Sequence, residues 1–160
     1  MLLLQGAPPT NPVSVALNSA EWIFPACELF HIVGFGISIG TVALVDLSLL
    51  GVEFKPKGTP ALLKATAPWT LIALVVVLTA GLVLFLTNPI HYVYNSAFRL
   101  KMITLLIAIV FNYTIHRKVA SSGILTQPTA MLVALTSLAL WLCVVASGLF
   151  IAFVPEPGGY

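Results

Sequence analysis

Four apolar runs, at 22–50, 68–86, 98–115 and 129–154, divide this sequence. Each is long enough to cross a hydrocarbon core of about 30 Å as a helix rising about 1.5 Å per residue. A soluble surface needs roughly a quarter of its residues charged, whereas here 8% are charged and 59% hydrophobic. The expected fold is therefore all-α and membrane-integral: one domain over 1–160, a four-transmembrane-helix up-down bundle with the lipid bilayer as its first partner. Almost no mass is left for an extramembrane catalytic domain.

The first twenty residues, MLLLQGAPPTNPVSVALNSA, carry no Lys or Arg and an apolar core of only three leucines. They read as a retained segment rather than a cleaved signal peptide, with 11–20 a short interfacial helix opened by Asn11-Pro12. Lys55, Lys57 and Lys64 follow the first run and Arg117 and Lys118 the third, while Arg99 and Lys101 stand at the start of the third. Five of the seven cations thus share one side, which by the positive-inside rule puts both termini away from the cytoplasm. The net charge of +2 is a topological signal and implies no nucleic-acid partner. Cys27 and Cys143 both lie within runs and indicate no disulfide framework.

The first run, EWIFPACELFHIVGFGISIGTVALVDLSLLG from Glu21 to Gly51, carries Glu28, His31 and Asp46. An ionisable group in hydrocarbon is expensive unless paired or facing a cavity, so each is a candidate site residue. Fifteen residues separate His31 from Asp46, about 22 Å along a helix. They cannot share one site. Alternating chain direction sorts the polar residues into an outer layer with Cys27, Glu28, His31, His91, Arg99, Lys101 and Met102, and an inner layer with Asp46, Asn112 and His116.

Three readings of the outer layer stand side by side. His31 bonds Glu28 or a backbone carbonyl and ties helices together. Or His31 is an axial ligand of haem b, with His91 or Met102 as the second ligand, Arg99 and Lys101 facing the propionates, and Gly34, Gly36 and Gly40 opening a slot for the macrocycle. Or Cys27, Glu28 and His31 supply metal donors, with Met102 and His91 completing a copper site. The glycines serve helix packing equally well. In the inner layer Asp46 pairs with His116 or Asn112 in a structural or proton-handling arrangement. Glu28-x-x-His31 lacks the second motif and further glutamates of a di-iron bundle, and with Asp46 at the opposite side from His31 no plausible Ser-His-acid set is read in one layer, so hydrolytic chemistry finds no support.

The run FPACELFHIVGFGISIGTVALVDLSLLG, then Pro68-Trp69, Ala97 to Lys101, Asn112 with His116, and Ser137 to Trp141, resembles a family of small four-helix bacterial inner-membrane proteins of unknown function. More remotely the arrangement is similar to membrane b-type cytochromes and copper-resistance membrane proteins. The resemblance implies a bacterial inner-membrane location, both termini then being periplasmic. It also implies arginines where this chain has Asn18, Ser48 and Leu149, so any anion-holding role they serve in relatives is altered here.

The function expected from these readings is a membrane b-type cytochrome-like electron-transfer subunit with His31 as haem ligand, working with a quinone or redox partner. The alternatives are a non-catalytic accessory subunit without cofactor and a copper or small-solute carrier. In each case the chain assembles as a homo-oligomer or with other membrane subunits, and no stand-alone enzyme is indicated.

Overall fold

A computed structural model describes residues 12–52, 58–122 and 126–154. The Asn11 cap, the retention of the first residues, and Lys55 and Lys57 lie outside the described residues. Four helices are long and apolar enough to cross a membrane: Ile23–Leu49, Gly58–Thr87, Ser96–Ser122 and Gln127–Phe153. They are called the first to fourth spans below. Their outer faces carry large apolar side chains such as Leu71, Leu106, Leu132 and Leu142, a surface that lipid accepts and water does not. Trp22 is exposed just before the first span, where amphipathic rings sit at the lipid headgroups, and Trp69 is exposed on the second.

The spans run up and down. The first packs along the second, the third along the fourth, and the first meets the fourth, so the two hairpins join through that contact. Gly34 makes the first pairing close: a Cβ there would stand 2.8 Å from Val77 Cγ2 and 3.2 Å from the Ala73 carbonyl oxygen. Val42, Leu105, Ala108, Trp141 and Val144 fill the middle of the bundle. Val45, Leu49, Ala120, Ala130 and Ala134 fill the end beyond it, with Leu62 and Leu63 against them.

Local chemistry sets the ends. The first span closes where Gly51 takes φ +97° and the Val52 amide donates to the Leu47 carbonyl at 3.0 Å, a left-handed C-terminal cap that suits glycine. Asn95 opens the third span by accepting from the Phe98 amide at 3.0 Å, and its Nδ2 donates to the Ile151 carbonyl at 3.0 Å, tying the third span to the end of the fourth. A short helix, Pro12–Asn18, packs on the end of the second span: Ser14 Oγ donates to the Leu86 carbonyl at 2.8 Å and Asn18 Nδ2 to that of Thr87 at 3.0 Å. Asn18 thus has a structural task where the resemblance implied an arginine.

Two boundaries differ from the sequence expectation. The second helix begins at Gly58, ten residues before Pro68, and holds Pro68 inside it. Leu62 and Leu63 give that extra length an apolar face against the neighbouring core, although Lys64 interrupts the run. The third helix continues past His116 to Ser122 through a π-turn at Asn112–His116, where the Arg117 amide reaches back five residues to the Asn112 carbonyl.

Candidate functional site

The two layers of polar residues sit at opposite ends of the bundle. At one end Asp46 and His116 are 0% and 1% exposed. His116 Nε2 lies 2.7 Å from Asp46 Oδ1, and Ser137 Oγ donates to Asp46 Oδ2 at 2.9 Å. First, third and fourth spans are therefore joined through one carboxylate. Both carboxylate oxygens are engaged, which suits an ionised Asp46 receiving two donors. His116 Nδ1 is buried with no hydrogen-bond partner.

Beside this group is a cavity of about 10 Å³, room for about one water. His116, Asn112, Thr41, Thr70, Tyr113 and Arg117 contribute to its lining. Thr41 and Thr70 hydroxyls bond each other at 2.8 Å across the first and second spans. The Arg117 guanidinium lies 5.0 Å from the centre of the Tyr113 ring. The sequence expectation named Asp46, Asn112 and His116. The structure brings Asp46 and His116 into contact, sets Asn112 on the cavity, and adds Ser137, which the sequence reading did not single out.

At the other end His31 Nδ1 donates to the Val77 carbonyl at 2.9 Å. That bond makes Nε2 the acceptor, and Lys101 Nζ donates to it at 3.3 Å. Lys101 also stands 4.9 Å over the Phe35 ring and lies against Gly148, where a Cβ would be 3.3 Å from Nζ. Gly81 admits the imidazole, since a Cβ there would sit 2.8 Å from His31 Cε1. His31 thus links first, second and third spans through both ring nitrogens.

The other outer residues do not gather on His31. Glu28, Arg99 and Met102 are exposed, and Cys27 is partly buried with a free thiol. His91 belongs to the short helix Pro89–Tyr94 and packs edge-on to Tyr92, ring centres 5.3 Å apart. Gly34 is closed by the second span, while Gly36 and Gly40 face open space. Among the described residues no three His, Cys, Asp or Glu side chains are placed to hold a metal ion. Ser48 Oγ bonds Thr59 Oγ1 at 2.8 Å and Leu149 points outward, so neither of these two positions faces a polar centre.

Among the described residues outside the spans, Tyr92 is the ionisable group that is tuned. Burial first, and the Glu28 carboxylate second, hold the Tyr92 phenol above its ordinary range. Its ring packs 5.2 Å from Phe98 and 6.2 Å from Phe85.

Four apolar helices tied by buried polar contacts define an all-α, multi-pass membrane protein. Residues 24–154 match the model of a family of unknown function, DUF6644, and the chain belongs to that family. No curated protein and no solved structure matches it.

Proposed function

We propose that this chain is a non-catalytic accessory subunit of a larger membrane assembly, its buried polar groups holding four helices in register while its lipid-facing surface meets other subunits. One observation carries the reading: both nitrogens of His31 are spent on the same chain, Nδ1 on Val77 and Nε2 on Lys101. Interhelical hydrogen bonds of this kind fix helix positions in lipid, where hydrophobic burial does not. Axial ligation of haem by His31, as in an electron carrier serving a quinone or redox partner, requires Lys101 to leave Nε2. A copper site needs Cys27, Met102 and His91 to converge on a ring that Val77 and Lys101 already occupy. Lys64, Arg117 and Lys118 share one end of the bundle, which supports a cytoplasmic orientation for that end and periplasmic termini in a bacterial inner membrane.

The test uses the full chain, purified in mild detergent, as wild type and as His31→Ala. The reading expects migration in an assembly larger than one chain, with the variant losing assembly or thermal stability and leaving the visible spectrum unchanged. A Soret band that disappears in His31→Ala, or a wild-type chain that stays monomeric, would overturn it.

A further inference from the structure

We propose that the Asp46–His116 pair is a proton-binding site, loaded from the Arg117 end of the bundle through one water in the adjoining cavity. The inference stands apart from the accessory-subunit reading. It starts from what a locking contact leaves unexplained. A histidine that only ties helices needs both ring nitrogens satisfied, as His31 has. His116 is among the most buried side chains of the bundle, yet its Nδ1 has no partner. An unpaired polar atom in a dry interior costs about 1–3 kcal/mol, so a partner supplied from outside the chain is favoured. The cavity that His116 lines has room for about one water.

With Nε2–H donated to Asp46 and the Ser137 hydroxyl donated to the other oxygen, Nδ1 of the neutral ring is a bare acceptor. A proton taken there forms an N–H bond at Nδ1 as an O–H bond of the cavity water breaks. The water regains a proton from solvent, and the pair passes from anionic to neutral overall. Such a change removes an uncompensated buried charge, so the site has a reason to bind the proton. The groups facing the pair set its field. The first span supplies Asp46 itself, the second only the hydroxyls of Thr66 and Thr70, the third Tyr113 and Arg117, and the fourth Ser137.

Loading from the Arg117 end follows the polar side of the cavity lining. Leu63, Thr66 and Arg117 line the cavity toward the end that carries exposed Lys64 and Lys118. In the other direction Val42, Leu105, Ala108, Trp141 and Val144 form an apolar plug. The π-turn Asn112–His116 opens the third span at this level and places Asn112 and His116 on the same cavity.

The experiment follows the imidazole nitrogens of the full chain, labelled with nitrogen-15 at histidine, in lipid nanodiscs as pH is varied. His116→Gln assigns the signal. The expected result is a His116 Nδ1 resonance that shifts from acceptor to protonated character while the protein stays folded, and whose exchange with solvent slows in Asn112→Leu, which fills the cavity. Thr41→Leu, which also adds bulk to the lining, replaces that variant where it fails to fold. In sealed vesicles the shift follows a pH step applied at the Arg117 face. A resonance that stays fixed across the folded pH range, exchange unaffected by filling the cavity, or a response to the His31 face would overturn the proposal.

Discussion

His116 Nε2 stands 2.7 Å from Asp46 Oδ1 with both side chains excluded from the surface. The contact spans seventy residues of sequence, and Ser137 brings in the fourth span on the second carboxylate oxygen. His31 does the same at the opposite end with a carbonyl and an ammonium. The bundle is pinned at both ends by polar contacts, with an apolar middle between them.

Removing the carboxylate at one pin leaves two buried donors without an acceptor. Asp46→Ala is expected to destabilise the fold by about 3 kcal/mol, the scale of leaving buried donors unsatisfied at about 1–3 kcal/mol each. Asp46→Asn keeps an acceptor oxygen and loses less. Thermal unfolding in detergent, followed by tryptophan fluorescence, ranks the two. Equal and small losses would show that the contact adds little.

The glycines separate by what a methyl group would meet. At Gly81 it would lie 2.8 Å from His31 Cε1 and 3.1 Å from Nδ1, so Gly81→Ala must push the ring from the Val77 carbonyl. Overpacking of this kind costs about 1–3 kcal/mol. At Gly36 nothing lies within 4 Å, and Gly36→Ala is expected to stay within about 0.5 kcal/mol. The same unfolding measurement distinguishes them, and a neutral Gly81→Ala would mean that the His31 seat is loose.

Lys101→Met tests the other half of that seat. The 3.3 Å bond to Nε2 is long, and the ammonium's place over Phe35 adds a cation–π contact worth about 0.5–1 kcal/mol. The expected loss is about 1 kcal/mol, with His31 still held by Val77. The histidine nitrogen-15 spectrum would then show Nε2 changing its environment and Nδ1 keeping its own. Both nitrogens moving together would make Lys101, rather than Val77, the group that orients the ring.

Much of this was legible in the residues. The length of each apolar run, set against helix rise, yields four spans, and the alternation of direction divides His31 from Asp46. Ser137 was not legible: a serine in an apolar run ordinarily bonds its own helix, as Ser147 bonds the Cys143 carbonyl at 2.7 Å, and its partner Asp46 is ninety-one residues away. Lys101 was set at the correct end but as a cation facing haem propionates, and only packing turns it onto the His31 ring itself. The start of the second helix was hidden because Lys64 and Pro68 interrupt hydropathy without ending the helix. Nothing in FNYTIHRK announces a π-turn.

Tyr92 carries the pH dependence that the structure predicts. Burial and, to a lesser degree, the Glu28 carboxylate disfavour its phenolate. The folded chain therefore keeps this proton at a pH where the unfolded chain, with a phenol near about 10, releases it. Stability from this group is whole below about pH 10 and is lost as pH rises through the raised folded value. An alkaline titration followed by tyrosinate absorbance should show a component that vanishes in Tyr92→Phe. In Glu28→Gln its midpoint should fall yet remain above that of free tyrosine, because burial is the larger cause. A midpoint unmoved by Glu28→Gln would leave burial as the whole explanation and remove the carboxylate from it.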